Sequence, residues 1–191
     1  MVINDHYKFV FIHVPKTGGT SVQAALRSLS GNNGSDLART KHETPPELLA
    51  RVSAERSTEL HKYRFFCIVR NPWDRFVSLF RYLHKLGKFP VPESFVEFAG
   101  MVDDGEEWVS KLHSIRPQLD FVGAPRQTVA RYETLREDFA TIASSLGFSA
   151  DLPHLNSSGG PAYYRGYYDE RCAQIVERKY KSDIDTFGYR F

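Results

Sequence analysis

The sequence predicts an α/β protein, a central, mostly parallel sheet flanked by helices in three layers and folded as a single domain over residues 1–191. Three observations lead there. Residues 7–14 (YKFVFIHV) and 64–69 (RFFCIV) are continuous apolar, β-forming runs, the pattern of strands buried on both faces. Each is followed by turn residues and then by apolar positions at helical spacing, which gives two strand–loop–helix units. The chain has 191 residues, 41% of them hydrophobic, enough for one sizeable core.

The elements follow in order. The first strand stops at Pro15, and Val22, Ala25, Leu26 and Leu29 then recur as the buried stripe of a helix. Residues 29–39, rich in Gly, Asn and Ser, read as a loop. Pro45 and Pro46 ahead of Leu48, Leu49 and Val52 predict a short helix within residues 44–56, with proline in its first turn. After the strand at 64–69, Asn71 can cap a helix whose first position is Pro72. Phe76, Leu79, Phe80 and Leu83 form its inner stripe. Residues 88–118 read as short helices and loops, 128–132 as a further short strand, and 133–146 as a helix closing at Gly147. Residues 152–167 read as a loop. A last helix carries Tyr168, Cys172, Ile175, Val176 and Lys179 on one face.

Composition narrows the function. Lys and Arg number 25 against 23 Asp and Glu, a net charge of +2, so a general polyanion binder is excluded and no nucleic-acid partner is expected. Any basic site must be local. The two cysteines, Cys67 and Cys172, belong to no CxxC or Cys/His ligand pattern, so no metal is expected. The first 14 residues lack the regions of a signal peptide, and no apolar run approaches the ~20 residues that span a bilayer. Two distant thiols suit a reducing compartment. The expected location is cytoplasmic.

The strongest chemical signal is His13-Val14-Pro15-Lys16-Thr17-Gly18-Gly19-Thr20-Ser21, between a strand and a helix. Two glycines let the backbone curl closely around an anion, and the helix start offers N–H groups and a positive dipole end. Thr20 and Ser21 add hydroxyl donors, and Lys16 a point charge. A nucleotide-triphosphate loop would read GxxxxGK[ST], with its lysine directly before the hydroxyl residue. Here the lysine precedes the glycines. The fold expected is therefore P-loop-like without the ATP or GTP signature.

The second signal is Arg70-Asn71-Pro72-Trp73-Asp74-Arg75-Phe76-Val77-Ser78. Arg70 stands at the carboxyl end of a predicted parallel strand, the edge where α/β sheets place ligands. Ser78 lies two turns into the following helix, with Arg75 on its face at i, i+3. An arginine and a serine so placed can grip a second phosphate. Taken alone, the segment reads first as a helix cap with a surface Arg–Asp pair; two anion sites on neighbouring strand ends shift the reading toward a phosphate grip.

Together these residues resemble the PAPS-dependent sulfotransferases, where PAPS is 3′-phosphoadenylyl sulfate. The branch is that of the Golgi heparan- and chondroitin-type carbohydrate enzymes and their soluble bacterial relatives. The resemblance continues through Lys41-His42-Glu43-Thr44, Tyr132-Glu133-Thr134-Leu135, Leu152-Pro153-His154-Leu155-Asn156 and Asp185-Thr186-Phe187-Gly188-Tyr189. It implies that Pro15, Lys16, Thr17, Gly18, Gly19, Thr20 and Ser21 bind the 5′-phosphosulfate and that Arg70 and Ser78 bind the 3′-phosphate. It makes Ser157 and Arg165 further candidate 3′-phosphate contacts, and Tyr163 or Tyr164 a candidate adenine neighbour. It also implies PAPS as donor, adenosine 3′,5′-bisphosphate as product and no metal.

Sulfuryl transfer, like phosphoryl transfer, passes through a loose transition state, so positioning and charge stabilisation dominate. Lys16 is the candidate to neutralise charge on the leaving oxygen. His42, which matches the family's position, is the candidate general base, with Glu43 and His154 as alternatives. The acceptor is a hydroxyl compound: a carbohydrate, a glycolipid or a small alcohol. The oligomeric state stays open. The competing readings are a P-loop nucleotide kinase or NTPase and a nucleotide-binding module without catalysis.

Overall fold

Residues 1–29, 42–153 and 164–191 are described in a computed structural model of the chain. They fall into two units, Met1–Val69 with Gln118–Asn156 and Arg70–Pro117 with Ser157–Phe191.

The first unit is built on a four-stranded sheet in the order β1 (Val2–Asn4), β2 (Phe9–Ile12), β3 (Arg64–Val69), β4 (Gln127–Arg131). β2, β3 and β4 run parallel, with Phe9 opposite Arg64 and Phe65 opposite Gln127. β1 pairs antiparallel with β2. The helices of this unit are α1 (Gly19–Arg27), α2 (Pro45–Arg51), α3 (Ala54–Leu60) and, later in the chain, α7 (Leu135–Leu146). Between them in sequence come the second unit's α4 (Pro72–Leu86), α5 (Phe95–Asp103) and α6 (Glu107–Ser110); its α8 (Glu170–Lys179) and α9 (Lys181–Phe187) end the chain.

Alternation along the strands makes the three layers of the first unit. Phe9, Phe11, Phe66 and Ile68 point to one face and pack with Val22 and Leu26 of α1 and Phe139 and Ile142 of α7. Val10, Ile12, Phe65 and Cys67 point to the other and pack with Leu48 of α2 and Leu60 of α3. Both faces are covered, which is why these strands read as continuous apolar runs. Each large side chain so buried contributes roughly 1.5–3 kcal/mol. Burial also pushes the Cys67 thiol up to about 12, so it is inert as a nucleophile.

In the second unit, Phe76 and Phe80 of α4 meet Phe95 and Phe98 of α5, at ring separations of 5.3–5.6 Å. Trp73 Nε1 donates to Ala173 O on α8 at 3.0 Å. Tyr168 donates its hydroxyl to Trp73 O at 2.8 Å.

The structure departs from the expected elements in a few places. β1, only three residues long, carries no periodic signal of its own and exists because β2 offers it an edge. The single helix expected in 44–56 is two, because Ser53 caps a new helix by accepting from Arg56 N at 3.2 Å. Residues Tyr164–Tyr167 form a 3-10 turn rather than loop. Lys179 is exposed, not on the buried face of α8; Tyr180 fills that place, and α9 follows it.

Candidate anion-binding site

The loop after β2 adopts the backbone an anion cradle needs. Lys16 has φ +67 and Gly18 φ +79, with Thr17 between them outside that region. Such alternation turns successive N–H groups toward one concavity. A left-handed conformation is strained for lysine, about 1–2 kcal/mol, and its occurrence here marks a position held for a purpose other than stability.

Gly18 is also the N-cap of α1 and brings no capping side chain. The first turn of α1 contains no acidic residue. Among the described α-helices it is alone in this: α2 to α9 carry Glu47, Glu55, Asp74, Glu97, Glu107, Glu137 with Asp138, Glu170 and Asp183. The positive end of α1 is thus left for an anion from outside the helix.

The two glycines are both sterically required. A Cβ on Gly18 would stand 2.9 Å from Tyr132 Cδ2, and one on Gly19 would stand 2.5 Å from His13 Nε2. Tyr132 follows β4 and His13 follows β2, so the loop is clasped between two ring systems. Gly19→Ala is expected to displace the loop, lowering stability by about 1–3 kcal/mol. It should weaken bisphosphate binding as well; thermal melts with and without the ligand check this, and an unchanged ligand-induced shift would exclude the loop from binding.

The remaining loop residues divide their work. The Thr17 hydroxyl donates to Val14 O at 3.0 Å and is buried, so it braces the loop from inside. Pro15 and Ser21 are buried, Lys16 is half-buried and Thr20 is exposed.

His42 Nδ1 lies 2.8 Å from His13 O, and the two imidazole rings meet edge-on at 4.7 Å. Glu43, considered above as an alternative base, has both carboxylate oxygens held by Arg51: Nε donates to Oε1 at 2.7 Å and an NH2 group to Oε2 at 2.8 Å. The Glu43 carboxylate is thus engaged in a two-point pair with the last residue of α2.

In the second unit, Arg70 is buried and donates from Nε and NH2 to Asp74 Oδ2 and Oδ1, both at 2.8 Å. The Arg–Asp pair read from the sequence is present, and Asp74 fixes the plane of the guanidinium. Ser78 is half-buried. Arg75 shares the predicted face but points elsewhere. It is 2% exposed, donates to Ser114 O and Arg116 O at 2.9 and 2.8 Å, and lies over the Tyr180 ring. Tyr164 is buried among Tyr168 and Phe191, while exposed Arg165 lies over the Tyr164 and Phe191 rings. Lys41, His154, Ser157 and Tyr163 lie outside the described residues.

Asp74, Arg51 and the His13 carbonyl were not among the predicted site residues. The i, i+4 spacing of Arg70 and Asp74 was a visible signal. The eight-residue reach from Glu43 to Arg51 was not. Among the described residues no group of His, Cys, Asp and Glu is placed to hold a metal ion, and no helix is long and apolar enough to cross a membrane.

A model of the sulfotransferase family matches residues 1–190. Carbohydrate sulfotransferase 14 of mouse (Mus musculus) is 25% identical over 234 aligned positions covering 99% of this chain, and the human (Homo sapiens) protein of the same name is also 25% identical over 99%. The chain spans 60% of the length of each of those relatives. The crystal structure of mouse sulfotransferase SULT7A1 complexed with PAP superposes with a TM-score of 0.59, covering 92% of this chain and 83% of that one. At 14% identity, that likeness is one of fold. With residues 1–190 matched, the chain belongs to the sulfotransferase family.

Proposed function

We propose that this chain transfers the sulfuryl group of PAPS to an acceptor hydroxyl, with residues 1–191 acting as one sulfotransferase domain. The observation that carries the reading is the loop at Lys16–Gly19, left-handed at Lys16 and Gly18 and leading into the one described α-helix without a first-turn acid. The solved relative complexed with PAP, adenosine 3′,5′-bisphosphate, and the carbohydrate sulfotransferases similar to this chain support it.

In this reading the loop from Pro15 to Ser21 holds the 5′-phosphosulfate, mainly through backbone N–H groups. Arg70, oriented by Asp74, and Ser78 hold the 3′-phosphate, joined by Ser157 and Arg165, with Tyr164 near the adenine. Lys16 offsets the negative charge that grows on the 5′-phosphate oxygen as the sulfur–oxygen bond breaks. His42 takes the proton of the acceptor hydroxyl while the new oxygen–sulfur bond forms. No metal takes part. The acceptor is a carbohydrate, following the names of the similar proteins, or else a glycolipid or small alcohol. The two buried thiols fit a reducing compartment, and cytoplasmic residence is part of the proposal.

Calorimetric titration tests the donor. Adenosine 3′,5′-bisphosphate is expected to bind at micromolar Kd or tighter without metal, about −8 kcal/mol or better, with little affinity for ATP–Mg²⁺. Preference for ATP–Mg²⁺ would replace this reading with a kinase or NTPase. Tight bisphosphate binding with no transfer from PAPS over a broad acceptor panel would leave only a binding module.

A further inference from the structure

The segment that carries His42 is fastened at three successive residues of the first unit. At His42, Nδ1 is 2.8 Å from His13 O. A carbonyl oxygen can only accept, so Nδ1 carries the hydrogen, and in the neutral ring Nε2 keeps the lone pair. At the next residue, buried Glu43 receives the two-point fork of Arg51, with the Glu43 and Arg51 side chains 8% and 24% exposed. At the third, Thr44 caps α2 in a reciprocal box: Thr44 N donates to Glu47 Oε2 at 2.7 Å and Glu47 N donates to Thr44 Oγ1 at 3.4 Å. Arg51 is the last residue of α2 and Glu43 precedes its N-cap, so the ion pair braces the helix from end to end. The capping box fixes where α2 starts; the Glu43–Arg51 fork fixes the direction from which the chain enters it.

This brace bears on the ring beside it. The bond from His42 to His13 O is a long-range contact, 29 residues in sequence, and it survives only if the backbone at 42 and 43 is held in place. A single hydrogen bond of about 1 kcal/mol does not do that by itself. A charge-assisted bidentate pair with one partner buried is the stronger restraint.

We propose that Arg51, through its fork on Glu43, is a positioning residue for His42. It holds the ring where His13 O fixes the Nδ1–H tautomer and leaves Nε2 as the basic nitrogen. The inference rests on the sulfotransferase reading, in which Nε2 accepts the acceptor's proton. Arg51 does not itself touch the reacting atoms in this scheme. The same His13 whose carbonyl sets the tautomer also packs its ring on Gly19, so base and anion loop share one support.

The test is read in the imidazole nitrogen shifts of the full chain labelled with ¹⁵N-histidine, at a pH where the ring is neutral. The His42 signals are identified by their loss in His42→Gln. In the wild type they are expected to show a protonated Nδ1 and an unprotonated Nε2. Arg51→Met alone strands a buried carboxylate and can unfold the segment, so the main variant is Glu43→Leu/Arg51→Met, which removes both charges. There the His42 signals should move to the Nε2–H form that a solvated imidazole prefers, with the Kd for adenosine 3′,5′-bisphosphate unchanged. Arg51→Lys, which keeps the charge without the fork, should give an intermediate ratio and carries the test if the double variant does not fold.

An Nδ1–H signature that persists in these variants overturns the proposal, as does an Nε2–H signature in the wild type. Loss of the tautomer in a protein whose wild type fails to bind the bisphosphate would uphold the positioning and sink the sulfotransferase reading. The two failures are therefore separable.

Discussion

Lys16→Ala is expected to slow sulfuryl transfer by about 10²–10³-fold, the usual cost of removing one group that meets charge developing in a transition state. The affinity for adenosine 3′,5′-bisphosphate should fall far less, because most of the cradle is backbone at Gly18, Gly19 and the start of α1. The check is a kcat measurement on the acceptor found by screening, paired with calorimetry. Equal losses in turnover and in binding would mean that Lys16 is a ground-state contact only. The backbone supplies a second arm. Because Lys16 sits at φ +67, a glycine there escapes the strain that alanine keeps. Lys16→Gly should thus be more stable than Lys16→Ala by about 1 kcal/mol while being just as slow. A strained conformation retained at the cost of stability is the behaviour of a functional loop.

The second large effect concerns stability. Arg75→Met is expected to destabilise the second unit by about 3 kcal/mol, from two lost hydrogen bonds to a charged group at ~1.5–3 kcal/mol each, partly offset by the apolar replacement. Arg75 is buried and donates to the carbonyls of Ser114 and Arg116, which close the segment after α6. Its guanidinium also lies 5.5 Å from the centroid of Tyr180, whose hydroxyl donates to Ile115 O at 3.0 Å. Burial pushes the Tyr180 phenol up to about 12, so it stays a neutral donor throughout the neutral range. Urea unfolding followed by tryptophan fluorescence measures the effect in the right place, since both tryptophans, Trp73 and Trp108, belong to the second unit. Arg75→Lys should recover part of the loss, because both carbonyls accept from one Arg75 nitrogen and an ammonium can donate to them, whereas the planar guanidinium over the Tyr180 ring is lost. A midpoint unmoved by Arg75→Met would show that the carbonyls find water instead.

Arg75 and Arg70 also show how sequence spacing misleads. Five residues apart on one motif, both looked fit for a phosphate. Arg75 shares the predicted anion face with Ser78 at i, i+3, yet it turns inward, where its guanidinium donates to two backbone carbonyls 39 and 41 residues away. Spacing along a helix gives the direction of a Cβ, and the partner at the end of a long side chain is supplied by another part of the chain. The Glu43–Arg51 fork is the same case in reverse. Glu43 looked like a spare carboxylate beside a histidine, and only α2, folded and capped at Thr44, returns Arg51 to it.

The architecture and the glycine turn after the first long strand are legible in the sequence. Continuous apolar runs at 64–69 and before Pro15 can be buried only in a sheet covered on both faces, and Gly18 and Gly19 between strand and helix mark a tight turn. Those signals are local, carried by residues adjacent in the chain, and so they are legible without a fold. The left-handed turn at Lys16, the edge strand β1, the commitment of Arg75 to structure and the contact of His42 with the His13 carbonyl come from the folded chain alone. Each depends on a group tens of residues away, or on a strain that local propensity argues against. Long-range partners carry no periodicity, and a residue held in an unfavourable conformation is held there by everything around it.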